Sequence, residues 1–162
     1  MKTVLLCEDL AFSRATMART ILSIEACSII EAENGTQAAD EIENAPGLDL
    51  IIADLLMPRP NGLELLKMVR AGNTAAPRDI PFIVISGAIT DEVHDVLAQL
   101  DVSRAIAKPV THAGLADVVA GIGPDGGRSM SWKTTETSSP TRPFMGCQRK
   151  ARSLRPVDAY LL

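Results

Sequence analysis

The chain has 162 residues, of which 46 % are hydrophobic and 22 % are charged, and its formal net charge is −4. This balance is typical of a globular protein of about one domain and excludes a disordered chain. No run of about 18 uncharged apolar residues occurs, and the opening apolar run is short, so we expect neither a membrane-spanning helix nor a secretory signal. The three cysteines (Cys7, Cys27 and Cys147) lack metal-ligand spacing, so the expected location is a reducing cytoplasm.

Charge divides the chain into two parts. Residues 1–122 carry 17 acidic and 9 basic side chains, whereas residues 123–162 carry 3 acidic and 7 basic ones. Gly, Ser, Thr and Pro supply 17 of the last 40 residues, so few positions remain to build a core. We therefore expect one domain over residues 1–122 and a basic, flexible C-terminal tail over residues 123–162.

Short apolar runs alternate with segments of helical periodicity along the first part. Five runs predict strands, at residues 4–7, 28–32, 48–53, 82–85 and 105–107. The third and fourth runs are almost wholly apolar, as in strands that a parallel sheet buries on both faces. The second run is more polar and is predicted to be an edge strand.

The segments between and after these runs carry apolar stripes that predict five helices. In chain order the stripes are Ala15, Ala18 and Leu22; Gly35, Ala38, Ala39 and Ile42; Leu63, Leu66 and Val69; Val93, Val96, Leu97 and Leu100; and Leu115, Val118, Val119 and Ile122. Asn61 and Thr111 are placed to cap the third and the fifth helix. Strands that are each followed by a helix predict a doubly wound α/β sheet.

Polar side chains follow all five predicted strands directly, but those after the second, Glu33 and Asn34, are expected at an edge of the sheet, away from its centre. Glu8 and Asp9 follow the first, Asp54 the third, Ser86 the fourth and Lys108 the fifth. Ligands of an open parallel sheet bind beyond the carboxyl ends of its strands, near the point where the strand order reverses. We therefore expect three carboxylates, a hydroxyl and an ammonium to converge on one edge.

The chemistry of this set points to a metal and a phosphoryl group. Two carboxylates about 4 Å apart repel by roughly 4 kcal/mol at an effective dielectric of 20, so either one is protonated or a cation lies between them. Oxygen ligands of this kind suit Mg²⁺. Lys108 and Ser86 are then placed to contact phosphoryl oxygens, and Asp54 is the expected nucleophile, whose attack on phosphorus gives an aspartyl phosphate.

Residues 2–122 resemble the receiver domain of two-component response regulators. The motifs that carry the resemblance are Glu8-Asp9, Asp54, Met57-Pro58, Asn61-Gly62, Ser86-Gly87 and Lys108-Pro109. The resemblance implies a flavodoxin-like fold with five parallel strands in the order 2-1-3-4-5 and five flanking helices. It also implies a signalling switch in which Asp54 accepts a phosphoryl group from a sensor histidine kinase or a histidine phosphotransfer protein.

The same resemblance implies the ligands and partners. Asp9, Asp54 and the backbone carbonyl of Leu56 would hold Mg²⁺, with Glu8 reaching it directly or through water. Lys108 would pair with the phosphoryl group, and the Lys108–Pro109 bond would be cis. Output would pass from residues 91–122 to an unknown downstream protein, with a phosphorylation-dependent homodimer as a further option; nucleic acid is not expected as a partner.

Three positions depart from the pattern of this family. Ala105 lies where the family commonly has Tyr or Phe, so the usual inward rotation of a ring has no counterpart here. Leu56 and Ala88 are apolar where polar residues are frequent, which predicts poor orientation of the attacking water and a long-lived aspartyl phosphate.

Several alternatives stay open from the sequence. A phosphatase of the haloacid dehalogenase class would carry a second Asp where Leu56 stands and its nucleophile after the first strand, so we expect at most self-phosphorylation and self-dephosphorylation. A phosphate-independent scaffold, an intermediate of a phosphorelay and a tail that acts as the effector are the others. The string Gly121-x-Gly123-x-x-Gly126 ends a predicted helix instead of opening one, so it is not interpreted as a dinucleotide site.

Overall fold

The computed structural model describes residues 1–45, 47–87 and 89–120. Strands and helices alternate along the chain as β1 (Lys2–Cys7), α1 (Ala11–Ile24), β2 (Cys27–Ala32), α2 (Gly35–Asn44), β3 (Leu50–Asp54), α3 (Gly62–Ala71), β4 (Phe82–Ser86), α4 (Asp91–Gln99), β5 (Arg104–Ala107) and α5 (His112–Ala120). The predictions for the C-terminal tail, for Ala88 and for the glycine string at residues 121–126 lie outside the described residues.

The five strands form one parallel sheet in the order β2-β1-β3-β4-β5. This confirms the predicted flavodoxin-like fold, with β2 at an edge. The strand boundaries differ from the predicted ones by one or two residues at some ends. The difference that matters is that Asp54 and Ser86 are the last residues of β3 and β4 and so take part in the sheet.

Alternate residues of the central strands pack on opposite faces of the sheet. Leu5 and Ile51 belong to the core cluster that includes residues of α2 and α3, whereas Leu6 and Ile52 belong to the cluster that includes residues of α1 and α5. All five residues of β3 and all five of β4 are buried. These two strands therefore form the rigid centre from which Asp54 and Ser86 are presented.

One predicted helix face is confirmed only at Ala18 and is wrong at its other two residues. Ala15 and Leu22 of α1 are exposed, and the buried residues are Met17, Ala18 and Ile21. The stripe was ambiguous because α1 carries apolar residues on several sides, and contact with β1 and α5 decides which side is buried. Among the described residues, no helix is long and apolar enough to cross a membrane.

The predicted caps are confirmed. Asn61 and Glu64 form a reciprocal capping box at the start of α3, with distances of 2.9 and 3.0 Å, and the Thr111 hydroxyl accepts a hydrogen bond from the Gly114 N–H at 3.1 Å. Gly62 follows the Asn61 cap and packs against the backbone carbonyl of Asp54. The first turn of α3 therefore rests directly on the end of β3.

The close approach at Gly62 generates a prediction about stability. A Cβ at this position would lie 2.9 Å from the Asp54 carbonyl carbon and closer still to its oxygen, so Gly62→Ala must shift α3 or the end of β3. We expect Gly62→Ala to lower the free energy of unfolding by about 1–3 kcal/mol, measured by urea denaturation. Gly87→Ala is the matched control, because a Cβ there meets nothing within 4 Å. Equal stability of the two variants would contradict the prediction.

Candidate functional site

The structure brings the three predicted carboxylates together. Glu8 and Asp9 follow β1, Asp54 ends β3, and one carboxylate oxygen from each lies within 4.8 Å of the other two. Glu8 is fully buried, Asp54 is 3 % exposed, and Asp9 is partly buried. We call these three residues the acidic pocket.

Lys108 is the cation of the acidic pocket. Its Nζ donates to Asp54 Oδ2 at 2.6 Å and to Glu8 Oε2 at 2.9 Å and Oε1 at 3.3 Å. Burial lowers the pKa of Lys108, but the hydrogen bonds to the two carboxylates and their charges outweigh burial, so the pKa is raised. The side chain is therefore an ammonium at neutral pH and bridges the ends of β1 and β3.

Both oxygens of the Asp54 carboxylate have hydrogen-bond donors. The Leu56 N–H donates to Oδ1 at 3.0 Å, and Lys108 occupies Oδ2. The Leu55 N–H donates to the carbonyl of Ile85 at 2.8 Å, which continues the link between β3 and β4 one residue beyond Asp54. Asp54 is thus fixed by its backbone and by its side chain.

Ser86 and Lys108 are coupled through the backbone at the ends of β4 and β5. Ser86 is fully buried, and its carbonyl accepts a hydrogen bond from the Lys108 N–H at 2.8 Å. The Lys108–Pro109 peptide is cis, as predicted, and so is Arg59–Pro60, which the sequence did not suggest. The fold therefore places Ser86 at the end of the strand next to Asp54.

The donor set of the acidic pocket fits a hard divalent cation. Three carboxylates face one ammonium, so the formal charge of the group is −2. Mg²⁺ prefers carboxylate and carbonyl oxygens and keeps part of its water shell, which suits a pocket whose Asp9 side reaches solvent. Glu8, Asp9 and Asp54 are the described side chains that fit this ion.

Arg14 on α1 is a polar residue of this region that sequence reasoning missed. Its guanidinium donates to the backbone carbonyl of Glu8 at 2.6 Å and to Glu31 Oε2 at 3.1 Å. It also lines, with Asp9 and Arg59, a groove of about 940 Å³ beside the acidic pocket. The sequence offered one sign of this role, which is that a basic residue lies one helical turn after Leu10, close to Glu8 and Asp9 in the chain.

Cys7 and Met57 form a second contact that the sequence did not suggest. The Cys7 Sγ lies 3.5 Å from the Met57 Sδ, and both side chains are buried. Burial raises the pKa of the Cys7 thiol to about 12. The thiol is therefore protonated at neutral pH, which makes it a packing residue and a poor nucleophile.

The departures from the family pattern have clear structural positions. Ala105 lies on β5 beside Val84 of β4 and is only partly buried, so this position offers a methyl group where a ring would rotate. Leu56 is 64 % exposed, two residues beyond Asp54. Its apolar side chain therefore stands in solvent beside the carboxylate that its own N–H contacts.

A parallel five-stranded α/β sheet with carboxylates after β1 and β3 and a lysine after β5 defines a flavodoxin-like domain with an acidic pocket. Residues 4–120 match the response regulator receiver domain family, and the chain belongs to that family. Receiver domains are phosphoacceptor signalling modules of two-component systems and bind Mg²⁺ at an acidic pocket.

Three known proteins illustrate the similarity. The sensory/regulatory protein RpfC of Xanthomonas campestris is 33 % identical over 87 residues, which are 54 % of this chain but only 12 % of RpfC. The structure of chemotaxis protein CheY4 of Vibrio cholerae aligns with a TM-score of 0.68 and 21 % identity, covering 75 % of this chain and 98 % of CheY4. The receiver domain of sensor histidine kinase PA1611 of Pseudomonas aeruginosa has a magnesium ion coordinated in its active site cleft. It aligns with a TM-score of 0.64 and 21 % identity, covering 75 % of this chain and 96 % of the PA1611 domain.

The ion pairs of Lys108 generate a prediction about the pocket itself. Lys108→Met leaves two buried carboxylates without their ammonium, so we expect it to lower the free energy of unfolding by about 1–3 kcal/mol. In an Asp54→Asn background one of those charges is already gone. The stability lost on Lys108→Met should then be smaller by at least about 0.5 kcal/mol. Urea denaturation of the four proteins of this cycle measures the coupling. Lys67→Met, on the exposed side of α3, is the control, and equal losses in both backgrounds would contradict the prediction.

Proposed function

We propose that Asp54 accepts a phosphoryl group from a phosphohistidine of a sensor histidine kinase or histidine phosphotransfer protein, and that the phosphorylated domain signals through protein–protein contact. The observation that carries the proposal is the placement of Asp54. Its carboxylate is almost fully buried, 2.6 Å from the Lys108 ammonium and within the acidic pocket. A carboxylate held this way at the end of a central strand is suited to attack phosphorus. The Lys108 ammonium beside it is suited to pair with the negative charge of the phosphoryl group on the product.

The transfer balances as a displacement at phosphorus. An Asp54 carboxylate oxygen forms a bond to phosphorus, the bond from phosphorus to the donor imidazole nitrogen breaks, and the imidazole takes up a proton. The products are an acyl phosphate on Asp54 and a neutral histidine. Lys108 must release one Asp54 oxygen and pair with a phosphoryl oxygen, and the hydroxyl of Ser86 is proposed to contact another.

We propose Mg²⁺ as the resident ion, held by Asp9, Asp54 and the backbone carbonyl of Leu56, with Glu8 directly or through water. The charge of −2 on the acidic pocket with Lys108 supports this ion, as does the magnesium recorded in the PA1611 receiver domain. When bound, Mg²⁺ neutralises charge that develops on the transferring phosphoryl oxygens. The position of the ion would be fixed by the ligands that the chain supplies.

Exposed apolar residues beside the acidic pocket support a protein as the phosphodonor. Leu10, Phe12 and Leu56 are 62 %, 83 % and 64 % exposed, and each lies within three residues of Asp9 or Asp54 in the chain. Such side chains are suited to contact with another protein. We propose that residues 1–122 act as the receiver domain, that residues 123–162 are a separate tail, and that the protein is cytoplasmic.

Ala105 favours a second candidate, a receiver-like scaffold whose contacts do not depend on phosphate. The missing ring removes one known route from Ser86 to the α4–β5 face. The two candidates differ in whether a small phosphodonor changes that face at all. Amide hydrogen exchange of α4 and β5 with and without acetyl phosphate separates them, since the scaffold predicts no change.

The phosphoacceptor itself can be tested with acetyl phosphate. We expect mass spectrometry to show one added phosphoryl group per chain in the presence of Mg²⁺, and its loss with EDTA or in Asp54→Asn. Hydroxylamine should remove the label, because an acyl phosphate is attacked at its carbonyl carbon. Asp79→Asn, an exposed aspartate before β4, is the matched control and should label like the wild type. Labelling of Asp54→Asn to the wild-type level would refute the assignment.

The lifetime of the phosphorylated form is a separate prediction. Leu56 cannot orient a water molecule toward the phosphoryl group, so Leu56→Asn should lose phosphate faster. We expect about a tenfold faster loss, the effect of one hydrogen bond of ~1.4 kcal/mol gained in the transition state. Leu56→Val keeps an apolar side chain and should match the wild type. The hypothesis fails if Leu56→Asn loses phosphate at the wild-type rate or more slowly.

A further inference from the structure

Arg14 is a mostly buried cation that contacts the acidic pocket only through the backbone. Its side chain is 15 % exposed. Nη1 donates to the carbonyl oxygen of Glu8 at 2.6 Å, and Nε donates to Glu31 Oε2 at 3.1 Å. Glu31 belongs to β2, so one guanidinium ties α1 to the ends of two neighbouring strands.

These contacts fix the peptide that leads into Asp9. β1 ends at Cys7, and the Glu8 N–H donates to the carbonyl of Ala32 at 3.1 Å. With the Arg14 contact to its carbonyl, Glu8 has both backbone polar groups bonded although it lies beyond the strand. Asp9 comes next, in neither a helix nor a strand, so the direction of its carboxylate depends on how the preceding peptide is held.

We propose that Arg14 is a positioning residue, which holds the Glu8–Asp9 peptide so that the Asp9 carboxylate faces Asp54 and a divalent cation. The proposal rests on the proposed function, because it concerns the metal site of the same pocket. Residues that orient metal ligands in this indirect way typically change metal affinity by about 10- to 100-fold when they are removed.

If Arg14 acted only through its charge, its removal would strengthen Mg²⁺ binding instead of weakening it. The Arg14 guanidinium donates to the Glu8 carbonyl, so its positive charge lies directly beside the end of β1. Removing a positive charge near a cation site strengthens cation binding by Coulomb's law. A weaker site after loss of Arg14 therefore identifies positioning, and a stronger site identifies a simple charge effect.

The test is calorimetric titration of the full chain with MgCl₂, which needs no phosphodonor. We expect Arg14→Gln to raise the Kd for Mg²⁺ about tenfold. Arg59→Gln is the matched control, because Arg59 lines the same groove, is 53 % exposed and only approaches Glu64 at 3.8 Å. Its Kd should stay unchanged or fall.

Glu31 supplies the second arm, because it anchors Arg14 and is half exposed, so its variant should fold even if Arg14→Gln does not. Glu31→Ala should also raise the Kd, and it should do so by a smaller factor in the Arg14→Gln background, where only the loss of its negative charge remains. An equal effect of Glu31→Ala in both backgrounds would overturn the proposal, as would an unchanged or lower Kd for Arg14→Gln. Failure of the wild type to bind Mg²⁺ would instead overturn the proposed metal site.

Discussion

The Lys108 ammonium between the carboxylates of Glu8 and Asp54 is the interaction on which the site depends. Removing a carboxylate from water costs several kcal/mol even in a relaxed protein interior, and Glu8 is fully buried. Lys108 offsets this cost for two carboxylates at once, through three contacts of 2.6–3.3 Å. The compensation is incomplete because Asp9 adds a third charge, and this residual negative charge is what suits the pocket to a divalent cation.

Only the parallel sheet brings these groups together. Glu8 and Lys108 are 100 residues apart in the chain, and they meet because β1 and β5 end at the same edge, on either side of β3 and β4. The close packing of Gly62 on the Asp54 carbonyl fixes that edge from the α3 side. Asp54 is therefore held by the sheet and by α3, whereas Asp9 lies beyond the end of β1 and is held through the neighbouring Glu8 peptide.

The pocket was predictable from the sequence because each functional residue directly follows an apolar run, and parallel strands end together. The caps at Asn61 and Thr111 were predictable for a similar reason, since capping is local. The face of α1 was not, because Leu22 and Ile21 are equally apolar and only packing against β1 and α5 selects Ile21. Arg14 and Met57 act through a backbone carbonyl and a buried sulfur contact, for which no residue spacing is diagnostic.

The small side chain of Ala105 limits how a change at Ser86 reaches the α4–β5 face. A methyl group has no rotameric states, so a signal at this position must travel through the backbone. Two such backbone connections are the Lys108 N–H to Ser86 carbonyl bond, at 2.8 Å, and the β4–β5 ladder. At the far end, the Arg70 guanidinium donates to the carbonyls of Leu100 and Asp101, at 2.9 and 3.0 Å, and ties the end of α4 to α3. The C-terminal end of α4 is therefore anchored to α3 independently of the β4–β5 ladder.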